Sequence, residues 1–353
     1  MSDTCIYPGP HDVISDEHYL PISLGKFEGC EPLRRRICRT CNARLGSLLE
    51  TQFARAGPTG LFRWMLGIKG RDGLPPSPFH KGAGGAPPIL GLARLPDAPY
   101  DLLCELEPGT GDASPLRQIV FEDPVGGPHQ VPIWSWMRDH PELLLEHLRE
   151  RGLEAAKPRY IVAGEDEIPW MEELLRAVGA EGPKNWKYPD AQSQRLPLTA
   201  TVRVTSAYFR AVAKVTFHYT LAMFPDLTGM EPHFAAIKEF IWAGGDVERF
   251  VRQRSQGFVE NFRRGYRPTH WMHMLAVNRT PNEIVAHAQF FAGPFLLPPS
   301  YEVSIGRNPS RIISRAEWRA HQFVILDPGA SPGPIGKMVD AQPAGQIWQF
   351  TPA

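Results

Sequence analysis

Five residues near the N-terminus have the types and spacing of a metal site, and three others those of a hydrolytic centre. Cys38-x-x-Cys41 is a knuckle, in which a tight turn lets both thiolates face one tetrahedral Zn²⁺ at ~2.3 Å. Cys5 is the third ligand if residues 5 and 38–41 approach across a hairpin. His11, six residues further on, or Cys30 would complete the set. Asp16-Glu17-His18 places acids beside an imidazole, and Asn42 directly follows the knuckle. Hydrolysing a phosphodiester requires a base to activate water and a cation to neutralise charge on the phosphate and leaving oxygen. His18 can be that base. Glu17 and Asn42 offer the oxygen ligands that a hard divalent cation, Mg²⁺ or Mn²⁺, prefers.

These groups meet only if a strand carries His18 and a helix opens at Asn42, with the knuckle bracing the helix start. After Asn42, Leu45, Leu48, Leu49, Gln52 and Phe53 fall at helical spacing, and Gly57-Pro58 ends the helix. A second short helix is expected over Leu61 to Leu66. Asp72 to Pro99, with two Pro-Pro pairs and GAGG, reads as a linker. Beyond it, extended runs are expected at Tyr100–Glu107, Gln118–Glu122, Gln130–Ile133, Arg159–Ala163 and Leu198–Val204. Helices are expected at Pro141–Arg151, Pro169–Val178, Ser206–Phe224 and Phe234–Trp242, and Trp271–Val277 with Glu283–Phe291 reads as a hairpin. The whole is an α+β chain with an antiparallel sheet, divided as 1–71, a linker over 72–99, and 100–353.

Charge adds a partner. The chain of 353 residues balances 38 Lys+Arg against 38 Asp+Glu, which excludes a globally polybasic binder. Between Lys26 and Lys81, however, eleven basic residues face four acids, a local +7. Arg34, Arg35, Arg36, Arg39 and Arg44 are candidates for phosphate contacts, which fix register without reading sequence, so DNA is the expected partner. Four of the five cysteines lie in the first 41 residues, which suits a metal site in a reducing cytosol better than a secreted disulfide framework. No apolar run of ~18 residues and no signal-like start occurs, so a cytoplasmic protein with no membrane partner is expected. Glu50, about two helical turns after Asn42, can face the same side but reads rather as a surface ion-pair residue or one packed against the basic run. Cys104 reads as a buried small hydrophobe, and His270, His273 and His287 as satisfied or exposed histidines.

SDEHYLP-x-x-LG followed by CRTCN-x-x-LG-x-x-x-E resembles the HNH endonuclease family in its zinc-braced form. The resemblance covers roughly residues 5–71. GLFRWMLGIKGR, FRAVAKVTFHY and FAAIKEFIWAGG look like the segments that follow such modules in an uncharacterised bacterial group. The resemblance implies an N-terminal ββα-metal module ahead of a larger α+β domain, and metal-dependent hydrolysis of DNA. It places the general base on His18, the catalytic cation on Glu17 and Asn42, and structural zinc on Cys5, Cys38 and Cys41. Two positions depart from the family pattern. Pro8 stands where a second cysteine is usual, so zinc takes His11 or Cys30, binds with three protein ligands, or is lost. Glu31-Pro32-Leu33 lacks the middle Asn that orients the histidine, so a backbone carbonyl or Glu31 orients His18 instead, or the site is weakened. A zinc-stabilised module that binds nucleic acid or protein without cutting is the alternative these departures favour.

Overall fold

The computed structural model describes residues 4–9, 11–70, 72–80, 82, 87–94, 100–180, 198–254, 268–294, 298–307, 316–330 and 333–341. Regular structure begins with strands β1 (Ile14–Glu17), β2 (Lys26–Glu28) and β3 (Leu33–Cys38). β1 and β3 pair antiparallel, with Ile14 opposite Cys38 and Glu17 opposite Leu33. Between the Ser15–Ile37 and Glu17–Leu33 pairs, β1 advances two residues while β3 advances four. Arg34-Arg35-Arg36 therefore bulges out of the ladder, with Arg35 in the left-handed region at φ 59°.

β3 runs directly into a helix built of α1 (Arg39–Leu45), a π turn (Gly46–Glu50) and α2 (Thr51–Arg55). The helix opens three residues earlier than the expected start at Asn42. The reason is local: the Cys38 Sγ accepts the Cys41 N–H at 3.4 Å, so the knuckle itself caps the helix. Helix α3 (Gly57–Met65) follows, with Gly57 at φ 65° making the corner and Pro58 in the first turn.

The chain then forms β4 (Leu90–Ala93), β5 (Leu102–Leu106), β6 (Ala113–Pro115), β7 (Gln118–Glu122), β8 (Pro128–Pro132), α4 (Glu142–Glu150), β9 (Lys157–Val162), α5 (Ile168–Ala177) and β10 (Thr199–Thr201). Part of the stretch read as a linker is thus a strand, because Leu90–Ala93 pairs with both β5 and β10. Residues 81, 83–86 and 95–99 of that stretch lie outside the described residues. After them come α6 (Ser206–Met223), α7 (Ala235–Ala243), and strands β11 (Val251–Arg254), β12 (Met272–Arg279), β13 (Glu283–Ala292), β14 (Ser300–Arg307), β15 (Glu317–Asp327) and β16 (Ile335–Asp340).

These elements form two compact units, Ile89–Val202 on one side and Met1–Pro88 with Arg203–Ala353 on the other. They divide the chain differently from the boundaries drawn on sequence, since the N-terminal segment belongs with the C-terminal half. The inserted unit holds two antiparallel sheets, β10-β4-β5-β6 and β8-β7-β9, the second packed with α4 and α5 through Ile119, Phe121, Leu144, Ile161 and Met171. The other unit holds β1-β3 and a seven-stranded sheet, β11-β14-β13-β12-β15-β16-β2, in which only the β16–β2 pair is parallel. Strand β2 stitches the N-terminal segment into this sheet. Helix α6 lies against β12–β14 and against the π turn, buried almost all round from Ala211 to Leu221. The charge follows the same division. Ile89–Val202 carries 11 basic residues against 19 acids, leaving 27 against 19 in the other unit, so a neutral chain consists of a −8 and a +8 part. No helix among the described residues is long and apolar enough to cross a membrane.

Two buried histidines make the larger unit acid-sensitive. His273 donates from Nε2 to the Leu24 carbonyl at 3.1 Å and accepts the Phe291 N–H on Nδ1 at 3.2 Å. Burial pulls the pKa of His273, and likewise of His287, down to about 4. Each is neutral in the fold but takes up a proton in the unfolded chain below pH ~6.5, so stability is lost as pH falls from ~6.5 towards 4. The loss is on the order of 3 kcal/mol per histidine when complete. Urea unfolding of the full chain should show its midpoint falling between pH 6.5 and pH 4.5; a flat midpoint would contradict this.

Candidate metal centre

The loop that carries Cys5 packs its thiol against the start of the helix. The Cys38 N–H donates to Cys5 Sγ at 3.4 Å, and Cys38 Sγ lies 3.8 Å from His11 Nδ1. The four ligand atoms of Cys5, His11, Cys38 and Cys41 all lie within 4.8 Å of one another. A tetrahedral Zn²⁺ with ~2.3 Å bonds to sulfur and ~2.0 Å to nitrogen sets ligand atoms ~3.5–3.8 Å apart, so a small contraction closes the site. The cluster can hold a metal ion such as zinc. His11, and not Cys30, completes it: Cys30 sits half-buried beside Tyr19 and outside the cluster.

The electrostatics also ask for a cation. Burial pushes the Cys38 thiol up, but hydrogen bonds from the Asp12 and Cys41 backbone and from His11 outweigh it and bring it down to about 7. Burial, with the neighbouring Cys38 and Cys5, holds Cys41 far up. Three thiols crowd one point where a thiolate set would repel itself without a cation at its centre. Three of the four ligands are buried and His11 is exposed, as in a closed structural site with one solvent-facing edge. Tyr7, between the first two ligands, stacks on Trp242 at 6.0 Å, and Arg44 lies 4.3 Å over the same indole.

The second group of candidates is brought together only in part. The Asn42 side chain lies close enough to the Glu17 carboxylate to help hold its pKa down. Glu17 is buried, whereas the next residue, His18, is exposed, and Tyr19 is buried again. The cation beside Glu17 comes from the chain itself. Lys214 Nζ donates to Glu17 Oε1 and to Glu50 Oε1. Lys214 is 1% exposed, so its ammonium is sealed in. One turn along α6, His218 shares a 2.8 Å hydrogen bond with Tyr7 and holds Nδ1 at 3.9 Å from Glu17 Oε1. Burial works against charge at Lys214, but Glu50 and Glu17 outweigh it and raise its pKa, which keeps the ammonium charged. At Glu17 burial wins over the pull of Lys214, and with Glu50 it raises the carboxyl pKa.

Glu50 is thus a partner in an internal triad, not the surface residue expected. The π turn positions it, since eight residues on a regular helix would leave Glu50 well off the Asn42 face. Lys214 and His218 were missed by sequence reasoning. The signal was present: a charge and an imidazole four residues apart in AVAKVTFHYTLAM, a run with no solvated face, must find buried partners.

The five arginines do not act alike. Arg34 pairs with Glu31 at 3.0 Å, both exposed, so Glu31 is engaged by Arg34. Arg35 and Arg39 are exposed, Arg36 donates to the Thr228 carbonyl, and Arg44 is held on Trp242. No family model, no curated protein and no solved structure matches the chain. The Cys/His cluster and the ion triad therefore stand on their own geometry.

A magnesium ion at Glu17 and Asn42 does not fit this arrangement. Its place beside the carboxylate is taken by the buried Lys214 ammonium, which also holds Glu50.

Proposed function

We propose that residues 5–71 act as a zinc-stabilised nucleic-acid-binding module that holds its target without cutting it. The observation that carries the reading is the Lys214 ammonium against Glu17 and Glu50. A phosphodiester-cleaving centre needs a divalent cation open to the scissile phosphate, and here Lys214 neutralises both carboxylates and Glu17 is buried, Glu50 being about a quarter exposed. Support for a nucleic-acid partner comes from the +8 charge of the larger unit, Met1–Pro88 with Arg203–Ala353, to which the module belongs, and from the bulged arginines. Arg35 holds a left-handed backbone, a conformation that costs energy for a non-glycine residue and is retained where it re-aims a side chain. Zinc at the Cys5–His11–Cys38–Cys41 cluster would fix the end of β3 and the start of α1, and with them Arg34, Arg35 and Arg39 on the surface. Backbone phosphates are what such a surface recognises, largely without sequence.

The test is duplex binding by the zinc-loaded full chain across a salt series without Mg²⁺. Affinity should fall steeply with salt. Arg34→Ala and Arg39→Ala should each weaken binding and lower the log–log salt slope by about one. Binding that ignores salt and both substitutions would sink the reading.

Metal-dependent DNA hydrolysis is the second reading, and one observation favours it: His18 is exposed, as a base must be to reach substrate. It requires Lys214 to leave the site before Glu17 and Asn42 could take a divalent ion.

A further inference from the structure

Most of the polar groups that line the Lys214 pocket are donors that a divalent cation would take. Glu17 offers a carboxylate with the Asn42 side chain beside it, and Glu50 offers a second carboxylate from the π turn. His218 Nδ1 is wholly buried, has no hydrogen-bond partner, and lies 3.9 Å from Glu17 Oε1. A buried imidazole nitrogen left unpaired beside a carboxylate is a costly arrangement, of a kind that persists where a site is built for a cation. Oxygen ligands with one imidazole suit Mn²⁺ as well as Mg²⁺.

We propose that Lys214 is the resident cation of a latent divalent-metal site formed by Glu17, Asn42, Glu50 and His218. Helix α6 supplies from within the chain the positive charge an external ion would bring. An ammonium tethered in the same fold competes intramolecularly with any free ion, and Lys214 itself is buried. The site therefore excludes divalent ions as long as Lys214 is there, and admits one when the ammonium is removed. Removing it leaves the two carboxylates that Lys214 bridges, with His218 Nδ1 3.9 Å from Glu17 Oε1. This inference deepens the non-cutting reading and rests on the same triad, but it makes a separate claim about metal affinity.

The probe is Mn²⁺ alone, followed by electron paramagnetic resonance on the zinc-loaded full chain. Wild type should show no Mn²⁺ site that Asn42→Ala removes. Lys214→Ala should take up about one Mn²⁺ per chain at least tenfold more tightly than wild type, about 1.4 kcal/mol. Adding Glu17→Gln to it should abolish the uptake. Thermal melting gives a second readout: Mn²⁺ should raise the midpoint of Lys214→Ala and leave wild type unchanged. A Lys214→Ala chain that folds only with Mn²⁺ also supports the proposal. It is overturned if wild type already holds Mn²⁺ through Asn42, or if Lys214→Ala binds it no better than wild type. If the variant folds in neither buffer, the wild-type measurement decides by the same criterion. Salt-dependent DNA binding by wild type is measured without Mn²⁺, so a failure here is distinguishable from a failure of the binding reading.

Discussion

Cys41→Ser should release zinc from the purified chain and unfold the segment between Cys5 and Arg55. Cys41 is fully buried and tied to Cys38 by the hydrogen bond that opens α1. Structural zinc contributes apparent free energies of about 10–16 kcal/mol in small finger peptides at neutral pH, and losing one thiolate forfeits most of it. The loop carrying Cys5 has no regular structure of its own and is held by the cluster, by the Ile6 N–H on the Arg36 carbonyl, and by the Tyr7–Trp242 stack. Elemental analysis should give about one zinc per wild-type chain and close to none in Cys41→Ser. His11→Ala should retain part of the zinc, since water can enter at the exposed corner, and Cys30→Ser should retain all of it. Stoichiometric zinc in Cys41→Ser would contradict the assignment.

Lys214→Met should be nearly as damaging, for a different reason. The substitution keeps the stem's volume but leaves Glu17 as a buried, unpaired carboxylate, and breaking such a pair costs about 3–5 kcal/mol. Most of that cost is the stranded charge, not a lost attraction. Adding Glu17→Gln should therefore restore at least half of the stability, although Glu17→Gln alone destabilises by stranding the ammonium against Glu50. Urea unfolding of the four chains, with the slope held constant, gives the coupling directly. Independent, additive costs would show that the triad is not a unit.

Three of the four cluster ligands were legible in the sequence because a knuckle is a local object. Cys38 and Cys41 need only one turn, and Cys5 joins them once its loop approaches the knuckle. The choice between His11 and Cys30 depends on how residues 6–13 fold back, which spacing does not specify. Helix α6 and the β12–β13 hairpin followed from local periodicity and turn chemistry. Strands β14, β15 and β16 did not, since EWRAHQFVILD and IGKMVD mix charges with apolar residues and declare themselves only by pairing. The Lys214–Glu17 contact spans 197 positions, so its partners are fixed by tertiary packing alone. The same holds for the parallel β2–β16 pair, which places the N-terminal segment with the C-terminal half across the inserted unit.

Charge was read correctly in sign but not in extent. The local +7 between Lys26 and Lys81 belongs to a unit whose total is +8, and the balancing acids lie in the insertion. Of the arginines singled out, Arg36 and Arg44 turned out to be held by Thr228 and Trp242, Arg34 pairs with Glu31, and Arg34, Arg35 and Arg39 are exposed at the bulge and helix start.

A supercoiled plasmid incubated with zinc-loaded wild type, with and without Mg²⁺, tests the central claim most directly. Omitting Mg²⁺ is preferable to adding a chelator, which would also strip the zinc. A module closed by Lys214 retards the plasmid and leaves it supercoiled in both buffers. Nicking that requires Mg²⁺ and disappears in His18→Ala would contradict that account and restore the hydrolytic reading.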